Sequence, residues 1–198
     1  MGIPVVDAKS EGEAQCAAMA AEGLVDATAS QDLDALLFGT PTLIKNITIA
    51  GRRKLPRKNV YTEVVPEKII LQENLDRLGI DRQKLIWIGI LVGTDFDEGI
   101  KGIGGKKGLK LVKEHDSFDS ILKAIKKEMD WEPVEELFLN PPAVKVNKEY
   151  LQFAQPDLQK VTDYMLDRSF SVERIQNALH RAFKNPLDSK QGTLNKWF

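Results

Sequence analysis

Apolar residues in the first third of the chain come in short, strand-like runs separated by glycine and polar residues. Two such runs are Ile3–Val6 and Leu24–Ala29, and the stretch from Ser10 to Glu22 between them has a helical pattern that stops at Gly23. A strand, a helix and a strand in this order predict a parallel pair of strands joined by a right-handed crossover. We therefore expect the chain to begin an α/β fold here.

A hairpin and then a series of helices are expected further along. Thr42–Ile49 alternates like a strand, Arg52–Lys58 has the composition of a basic hairpin tip, and Val60–Val65 predicts the returning strand. A short helix or turn is expected at Leu33–Phe38. The helices predicted after Pro66 are 67–78, 81–92, 105–115, 118–129, 133–139, 157–166 and 172–183.

These elements predict one α/β domain over residues 1–184, with a partial parallel sheet, flanking helices and a helical carboxyl-terminal region, followed by a mobile polar tail over 185–198. The length of 198 residues and a hydrophobic fraction of 42% suit a single globular core. No apolar run is long enough to cross a membrane, so no membrane partner is expected. Cys16 is the one cysteine, which excludes an internal disulfide and indicates a reducing compartment.

Five acidic residues lie where a predicted strand or helix meets a loop. They are Glu11, Glu13, Asp32, Asp34 and Asp95. The two pairs follow neighbouring predicted strands and would share the carboxyl edge of the sheet, where open α/β sheets bind ligands. Carboxylates without His or Cys suit hard cations such as Mg²⁺ or Mn²⁺, which would relieve the repulsion between the pairs. The structural alternatives are a capping box of Ser10 with Glu13, and a turn at Asp32 and Asp34 that caps the next helix.

Two stretches of the chain are basic and contain no acidic residue. Residues 35–62 carry six basic side chains, and residues 99–113 carry five lysines. In the second stretch a glycine-rich loop precedes a helix on which Lys106, Lys110 and Lys113 share one face. Glycines let backbone amides approach a phosphate, and the helix amino terminus adds positive potential. This pattern predicts a helical element that holds a nucleic-acid backbone without reading bases. The alternative for both stretches is a solvated loop.

Residue blocks in order along the whole chain resemble the carboxyl-terminal part of the flap endonuclease family, structure-specific 5′ nucleases with a PIN-like fold. The matching blocks are MGIP at 1–4, SEGEA at 10–14, QDLD at 31–34, LFG at 37–39, GTDF at 93–96, GIKGIG at 99–104 and QGTLNKWF at 191–198. A chain that ends at the last block, without a long basic extension, is more typical of archaeal than of eukaryotic members.

The resemblance implies a catalytic role and a metal role for all five carboxylates, which would hold two Mg²⁺ ions, replaceable by Mn²⁺, directly or through water. It also implies that residues 99–113 form a helix–two-turn–helix element that binds duplex DNA. The DNA-binding residues would be Lys101, Gly102, Gly104, Gly105, Lys106, Lys107, Lys110 and Lys113. A potassium ion is expected at the backbone carbonyls of Ile100 and Ile103, although Gly99 replaces the serine that assists in some relatives.

The end of the tail carries a candidate interaction motif. Gln191, Leu194, Trp197 and Phe198 fit the pattern Q-x-x-h-x-x-a-a, in which h is aliphatic and a is aromatic. One tight helical turn would bring the three apolar side chains together as a plug for a PCNA-type sliding clamp. The alternative is that they fold back onto the domain.

The resemblance implies a 5′ flap endonuclease that cuts branched duplex DNA by two-metal catalysis in replication and repair, in an archaeal cytoplasm or nucleoid, or in a nucleus if the chain is eukaryotic. The family's amino-terminal portion, with its basic catalytic helix and arch, has no counterpart among the matching blocks. The chain would therefore be a fragment or one half of a split enzyme, and nearly inactive alone. Two alternatives stay open: a non-catalytic module that binds duplex DNA and a clamp, and a related metal-dependent ribonuclease.

Overall fold

The computed structural model describes residues 1–48, 51–54 and 59–183, and only the backbone of residues 52, 53 and 183. The described residues form two compact units, a larger one over Asp7–Lys145 and a smaller one made of Met1–Val6 and the chain from Val146 onward. The predicted boundary at residue 184 stays a prediction, because the tail over 185–198 lies outside the described residues. Within the described ranges, none of the helices combines the length and the apolar content that a membrane crossing needs.

The larger unit contains helices and short strands in a mixed order. In chain order they are α1 (Gly12–Ala21), β1 (Thr28–Ala29), α2 (Asp34–Leu37), β2 (Thr42–Lys45), β3 (Gly51–Lys54), β4 (Tyr61–Val64), β5 (Glu67–Ile70), α3 (Leu71–Leu78), α4 (Arg82–Val92), α5 (Gly105–Glu114), α6 (Phe118–Ile125) and α7 (Glu132–Leu139). The expected α/β class is confirmed.

A three-stranded sheet in the order β1–β2–β5 supports the start of the unit. The first two strands are parallel, with Thr28 opposite Leu43, and β5 runs antiparallel to β2. Leu43 and Ile44 are buried, so the central strand lies inside the core. The predicted hairpin of Thr42–Ile49 with Val60–Val65 is wrong in its pairing, because β2 pairs with β1 and β5 instead. The returning strand β4 pairs with β3, which overlaps the predicted basic tip, and Gly51 lies opposite Val64.

The first predicted strand, Ile3–Val6, is wrong: residues 1–8 of the described chain form no regular element. Their backbone bonds elsewhere in the smaller unit, since the Gly2 carbonyl accepts from the Ala154 amide at 2.9 Å and the Val5 carbonyl accepts from the Tyr150 hydroxyl at 2.8 Å. The parallel partner of β1 is therefore β2 and not the amino-terminal segment.

Two predicted helices have different bounds in the structure. The segment predicted as helix 67–78 begins as strand β5, because residues 67–70 pair with β2, and only then continues as α3 up to the left-handed Gly79. The helix predicted over 118–129 ends at Ile125, because Lys126 adopts the left-handed conformation and its amide bonds to the last turn of α6.

Helix α4 is the centre of the larger unit. It starts at the predicted cap, where the Asp81 carboxylate accepts from the Lys84 amide at 2.8 Å, and it buries Ile86, Ile90 and Leu91 completely. Helices α2, α5 and α7 pack around it. α2 and α5 therefore pack against the same helix, and the burial of these side chains and their neighbours stabilises both contacts.

The smaller unit contains a 3-10 turn and two helices, α8 (Leu158–Leu166) and α9 (Val172–Phe183). Asp157 caps α8 through the Lys160 amide at 3.0 Å, and Ile175 of α9 is buried. Both helices agree with the sequence prediction within one residue.

Candidate metal centre and nucleic-acid interface

Three of the five predicted carboxylates come together in the structure. Asp32 follows β1, Asp34 is the first residue of α2, and Asp95 lies in the turn after α4. One carboxylate oxygen of each lies within 4.8 Å of the others. Asp34 and Asp95 are about 60 positions apart in the sequence. The cluster is therefore a product of the tertiary fold.

Side chain-to-backbone hydrogen bonds shape the turn that carries the first two aspartates. The Asp32 amide donates to the Ser30 hydroxyl at 3.1 Å, and the Asp34 amide donates to Asp32 Oδ1 at 3.2 Å. Short polar side chains that bond two residues along the chain favour tight turns over helix or strand. The sequence S-x-D-x-D thus folds back on itself and presents both carboxylates on the same side of the chain.

A second tight turn presents Asp95. The Thr94 amide donates to the Asp97 carbonyl at 2.8 Å, and Asp97 Oδ1 accepts from the Gly99 amide at 2.6 Å. Gly99 has φ +67°, and a Cβ there would collide with the backbone of Val92 and Gly93. Glycine at this position lets the loop close against the end of α4.

Aromatic packing holds the two turns next to each other. Phe38, at the end of α2, lies 6.5 Å from the ring of Phe96, the residue that follows Asp95. Both rings contact Phe138 of α7, with centroid distances of 4.8 Å and 5.6 Å. These ring contacts join α2, the Asp95 turn and α7, and so help to hold the carboxylate-bearing turns together.

The cluster brings negative charges close together. Partial burial raises the pKa of Asp34, and the charges of Asp32, Asp95 and Glu13 raise it further, in that order. A carboxyl group in this environment holds its proton more tightly than an exposed one does. A bound cation would reverse this effect, because it favours the ionised form.

Glu13 and Glu11 are less closely joined to the cluster. Glu13 is half-buried on α1 and accepts a hydrogen bond from the Ser30 hydroxyl at 3.0 Å. Glu11 is exposed, and neither glutamate belongs to the set of three oxygens found among the described residues. The predicted capping box is wrong: Glu11 rather than Ser10 occupies the N-cap of α1, and among the described residues no side chain caps that helix. Their metal role stays a prediction.

The sequence prediction missed Ser30 and the aromatic cluster. A hydroxyl residue two positions before an aspartate was a usable signal, because this spacing is typical of a local side-chain turn. The contacts of Phe38, Phe96 and Phe138 join three separate segments and leave no periodic signal in the sequence.

The donor set fits a hard divalent cation. All three clustered groups are carboxylates, and their oxygens are close enough to share an ion. Partial burial and then the negative charges around it raise the pKa of Asp34, and a bound cation would offset both effects on its ionised form. Asp32, Asp34 and Asp95 are therefore the residues that would hold a cation, with Glu13 next to them.

The predicted lysine face lies on α5 and is open to solvent. Lys106, Lys110 and Lys113 are exposed, while Val112 and Gly108 of the same helix are buried. A Cβ at Gly108 would lie 3.3 Å from Ile88, so glycine allows α5 to pack closely on α4. Lys110 forms an exposed ion pair with Glu114 at 3.7 Å, which adds little stability.

The loop before α5 has the glycine geometry expected of it. Gly102 has φ +87°, the Ile103 amide donates to the Ile100 carbonyl at 3.0 Å, and Ile103 is buried as an anchor. Gly104 is the N-cap of α5. The predicted potassium site at Ile100 and Ile103 and the predicted DNA contacts stay predictions. The predicted clamp motif, from Gln191 to Phe198, lies outside the described residues.

Comparison with protein families and curated proteins gives consistent matches. The XPG I-region matches residues 2–95. Flap endonuclease 1 from Archaeoglobus fulgidus is 50% identical over 201 residues, and flap endonuclease 1 from Thermococcus onnurineus is 52% identical over 202 residues. Each alignment covers 100% of this chain and 58% of the relative.

Solved structures give the same result. Flap endonuclease-1 from Methanococcus jannaschii superposes with a TM-score of 0.75 at 33% identity, covering 92% of this chain and 53% of that one. The catalytic core of Rad2 in complex with a DNA substrate superposes with a TM-score of 0.67 at 25% identity, covering 90% of this chain and 62% of that one.

The chain thus spans less than two thirds of the length of the relatives it matches. The alignments nevertheless cover the whole of this chain at about 50% identity. On these grounds the chain is homologous over its whole length to the carboxyl-terminal part of flap endonuclease 1 proteins.

Proposed function

We propose that this chain is part of a structure-specific 5′ flap endonuclease that hydrolyses DNA phosphodiester bonds. The observation that carries the proposal is the meeting of Asp32, Asp34 and Asp95 within 4.8 Å, in a chain whose relatives at about half identity are flap endonucleases. A mixed sheet and an aromatic cluster fix the three carboxylates in place before any ligand arrives. Such preorganisation favours catalysis because little rearrangement is left to the reaction.

The proposed cofactors are two divalent cations, Mg²⁺ or Mn²⁺. Cations bound at such a site supply Lewis acidity for phosphodiester hydrolysis. The clustered aspartates hold them, Glu13 assists from α1, and Glu11 contributes from the exposed start of that helix. The negative cluster also keeps the phosphate backbone away until cations neutralise it.

The proposed substrate is branched duplex DNA with a 5′ flap. Lysines on the outer face of α5, with the glycine loop before it, would hold the duplex through its phosphates. Support for this comes from the exposure of these lysines and from the glycines of the loop, which let backbone amides approach a phosphate. Potassium at the Ile100 and Ile103 carbonyls is part of this proposal and would neutralise phosphate charge there.

The first test is Mn²⁺ binding by the 198-residue polypeptide, measured by calorimetry and by thermal melting. A ligand that binds only the native state stabilises it and raises the melting temperature. The stabilisation is about 2.7 kcal/mol when the ligand concentration is 100 times Kd. Asp95→Ala should remove most of this response, whereas Asp116→Ala, which removes an exposed carboxylate outside the cluster, should retain it. A response that is unchanged in Asp95→Ala would contradict the assignment of the site.

The second test separates the candidate activities. Flap, blunt-duplex and RNA substrates are incubated with the polypeptide, with and without the amino-terminal part of a relative. We expect negligible flap cleavage by the polypeptide alone and Mg²⁺-dependent cleavage of the flap substrate on addition of that part. Preferred cleavage of RNA would indicate a ribonuclease, and duplex binding without Mn²⁺ binding would indicate a non-catalytic module.

The proposed protein partner is a PCNA-type sliding clamp. A peptide over residues 190–198 should bind it with micromolar affinity, about −8 kcal/mol. Burial of two aromatic rings and a leucine favours binding, and the entropy lost on ordering a free peptide opposes it. Trp197→Ala with Phe198→Ala should weaken binding by at least about 2 kcal/mol. A double variant that binds as well as the parent peptide would exclude this contact.

A further inference from the structure

We infer that Ser30 is a positioning residue for this site, whose hydroxyl holds the Glu13 carboxylate next to the acidic cluster so that it serves the same cation. This inference rests on the proposed function. It concerns a residue outside the set of carboxylates and assigns it a role through Glu13.

The backbone of Ser30 is fixed by the sheet. Its amide donates to the carbonyl of Ile44 at 3.2 Å, which extends the pairing of β1 with β2 by one residue. Ile44 is buried in the central strand, so this anchor has little freedom to move. The Ser30 side chain therefore starts from a defined position.

The Ser30 hydroxyl makes two hydrogen bonds in opposite directions. It accepts from the Asp32 amide at 3.1 Å and donates to Glu13 Oε1 at 3.0 Å. A hydroxyl has one hydrogen, and the amide takes up one of its lone pairs, so the hydrogen is directed at the glutamate. Each bond polarises the hydroxyl in a way that strengthens the other.

Glu13 needs such a tether because it is repelled by the cluster. The charge of Glu13 lies close enough to Asp34 to help raise the pKa of that residue, as the charges of Asp32 and Asp95 also do. A half-buried glutamate with several rotatable bonds would otherwise turn toward solvent in the cation-free state. The hydrogen bond from Ser30 opposes this rotation and keeps a fourth carboxylate ready for a cation.

A matched pair of variants tests the hydroxyl itself. Ser30→Thr keeps it, and Ser30→Val has nearly the shape of threonine without it; both β-branched residues suit the extended backbone next to β1. We expect Ser30→Thr to bind Mn²⁺ like the parent chain and Ser30→Val to bind about tenfold more weakly, as is usual when a residue that orients a metal ligand is lost. Affinity is measured by calorimetry well below both melting temperatures.

A double-mutant cycle tests the route through Glu13. In a Glu13→Ala background the carboxylate that Ser30 holds is gone, so Ser30→Val should change Mn²⁺ affinity by less than about twofold. An equal loss of affinity in both backgrounds would overturn the inference, because Ser30 would then act through the Asp32 turn or through general stability.

The outcomes separate this inference from the proposed function. If the parent chain binds Mn²⁺, and Ser30→Val and Ser30→Thr bind it equally well, the role of Ser30 is refuted while the metal site stands. If Ser30→Val only lowers the melting temperature of the metal-free chain and leaves affinity intact, the hydroxyl is structural and the inference is likewise refuted. If the parent chain binds no Mn²⁺, the metal site of the proposed function fails and Ser30 has nothing to position.

Discussion

The carboxylate cluster and the lysine face of α5 differ in how densely their charge is packed. Asp32, Asp34 and Asp95 lie within 4.8 Å of one another on turns held by side-chain hydrogen bonds. The lysines are exposed and spaced along one helix, where water screens each from the next. Dense charge of this kind fits the cation proposed for the cluster, whereas spaced charge fits the extended polyanion proposed for the lysine face.

Gly99 lies in the chain between Asp95 and the lysine face. Its substitution should have the largest effect on stability. Gly99→Ala should lower the free energy of unfolding by about 3 kcal/mol, because a left-handed alanine is strained and its Cβ collides with backbone. Gly102→Ala is the matched control, since its φ is also positive but its Cβ would meet open space among the described residues. We expect a loss of only about 1 kcal/mol there. Denaturant unfolding measures both; equal losses would show that the collision is relieved without cost.

The lysine face should respond to salt. If three of its lysines contact phosphates, log K for duplex DNA should fall with log salt at a slope of roughly −3, so that raising salt from about 50 to about 200 mM weakens binding about 60-fold. Lys106→Ala with Lys110→Ala should reduce this to about fourfold. Lys123→Ala with Lys127→Ala, which removes two exposed lysines outside α5, is the control. Fluorescence titration at several salt concentrations gives the slopes, and a double variant with the parent slope would place the duplex elsewhere.

The smallest expected effect concerns the stability that the folded chain loses through repulsion within the acidic cluster. The pKa of Asp34 is raised in the folded state, so the folded chain binds this proton more tightly than the unfolded chain does. Stability from this group therefore falls as pH rises from the ordinary value of 3.8 through the raised pKa. Without metal at pH 7, Asp34→Asn should melt a few degrees higher than the parent chain, and the difference should vanish below the ordinary pKa. Saturating Mn²⁺ should reverse the order.

Asp116→Asn, which changes an exposed carboxylate outside the cluster, serves as the control for that melting series. It should melt like the parent chain at every pH. An Asp34→Asn variant that is destabilised at pH 7 would mean that the aspartate contributes more as the first residue of α2 than it costs through repulsion.

Local features of the fold were predictable from the sequence. The Asp81 cap, the Gly79 stop and the helix over Val172–Phe183 depend on residues within a few positions of each other, and all three are confirmed. The predictions that failed depended on distant partners: Glu67–Ile70 becomes a strand because β2 is available to pair with it, and Ile3–Val6 bonds to the smaller unit.

In the candidate site, too, local features could be predicted and features that depend on distant contacts could not. The identity of Asp32, Asp34 and Asp95 could be predicted from residue type and from position at element ends. Their mutual distance could not, because it depends on contacts such as Phe38 with Phe96 across separate segments. Tertiary packing of this kind overrides local pattern and has no signature in a single sequence.

The ring of Phe96 also bears on the choice of cation at the proposed metal site. Mg²⁺ demands near-ideal octahedral coordination, while larger cations tolerate irregular coordination. Phe96 follows Asp95 and contacts Phe38 and Phe138, so a smaller side chain there should leave the Asp95 turn less firmly packed. If the proposed cations bind here, substitutions at the phenylalanines should alter ion preference while every carboxylate stays in place.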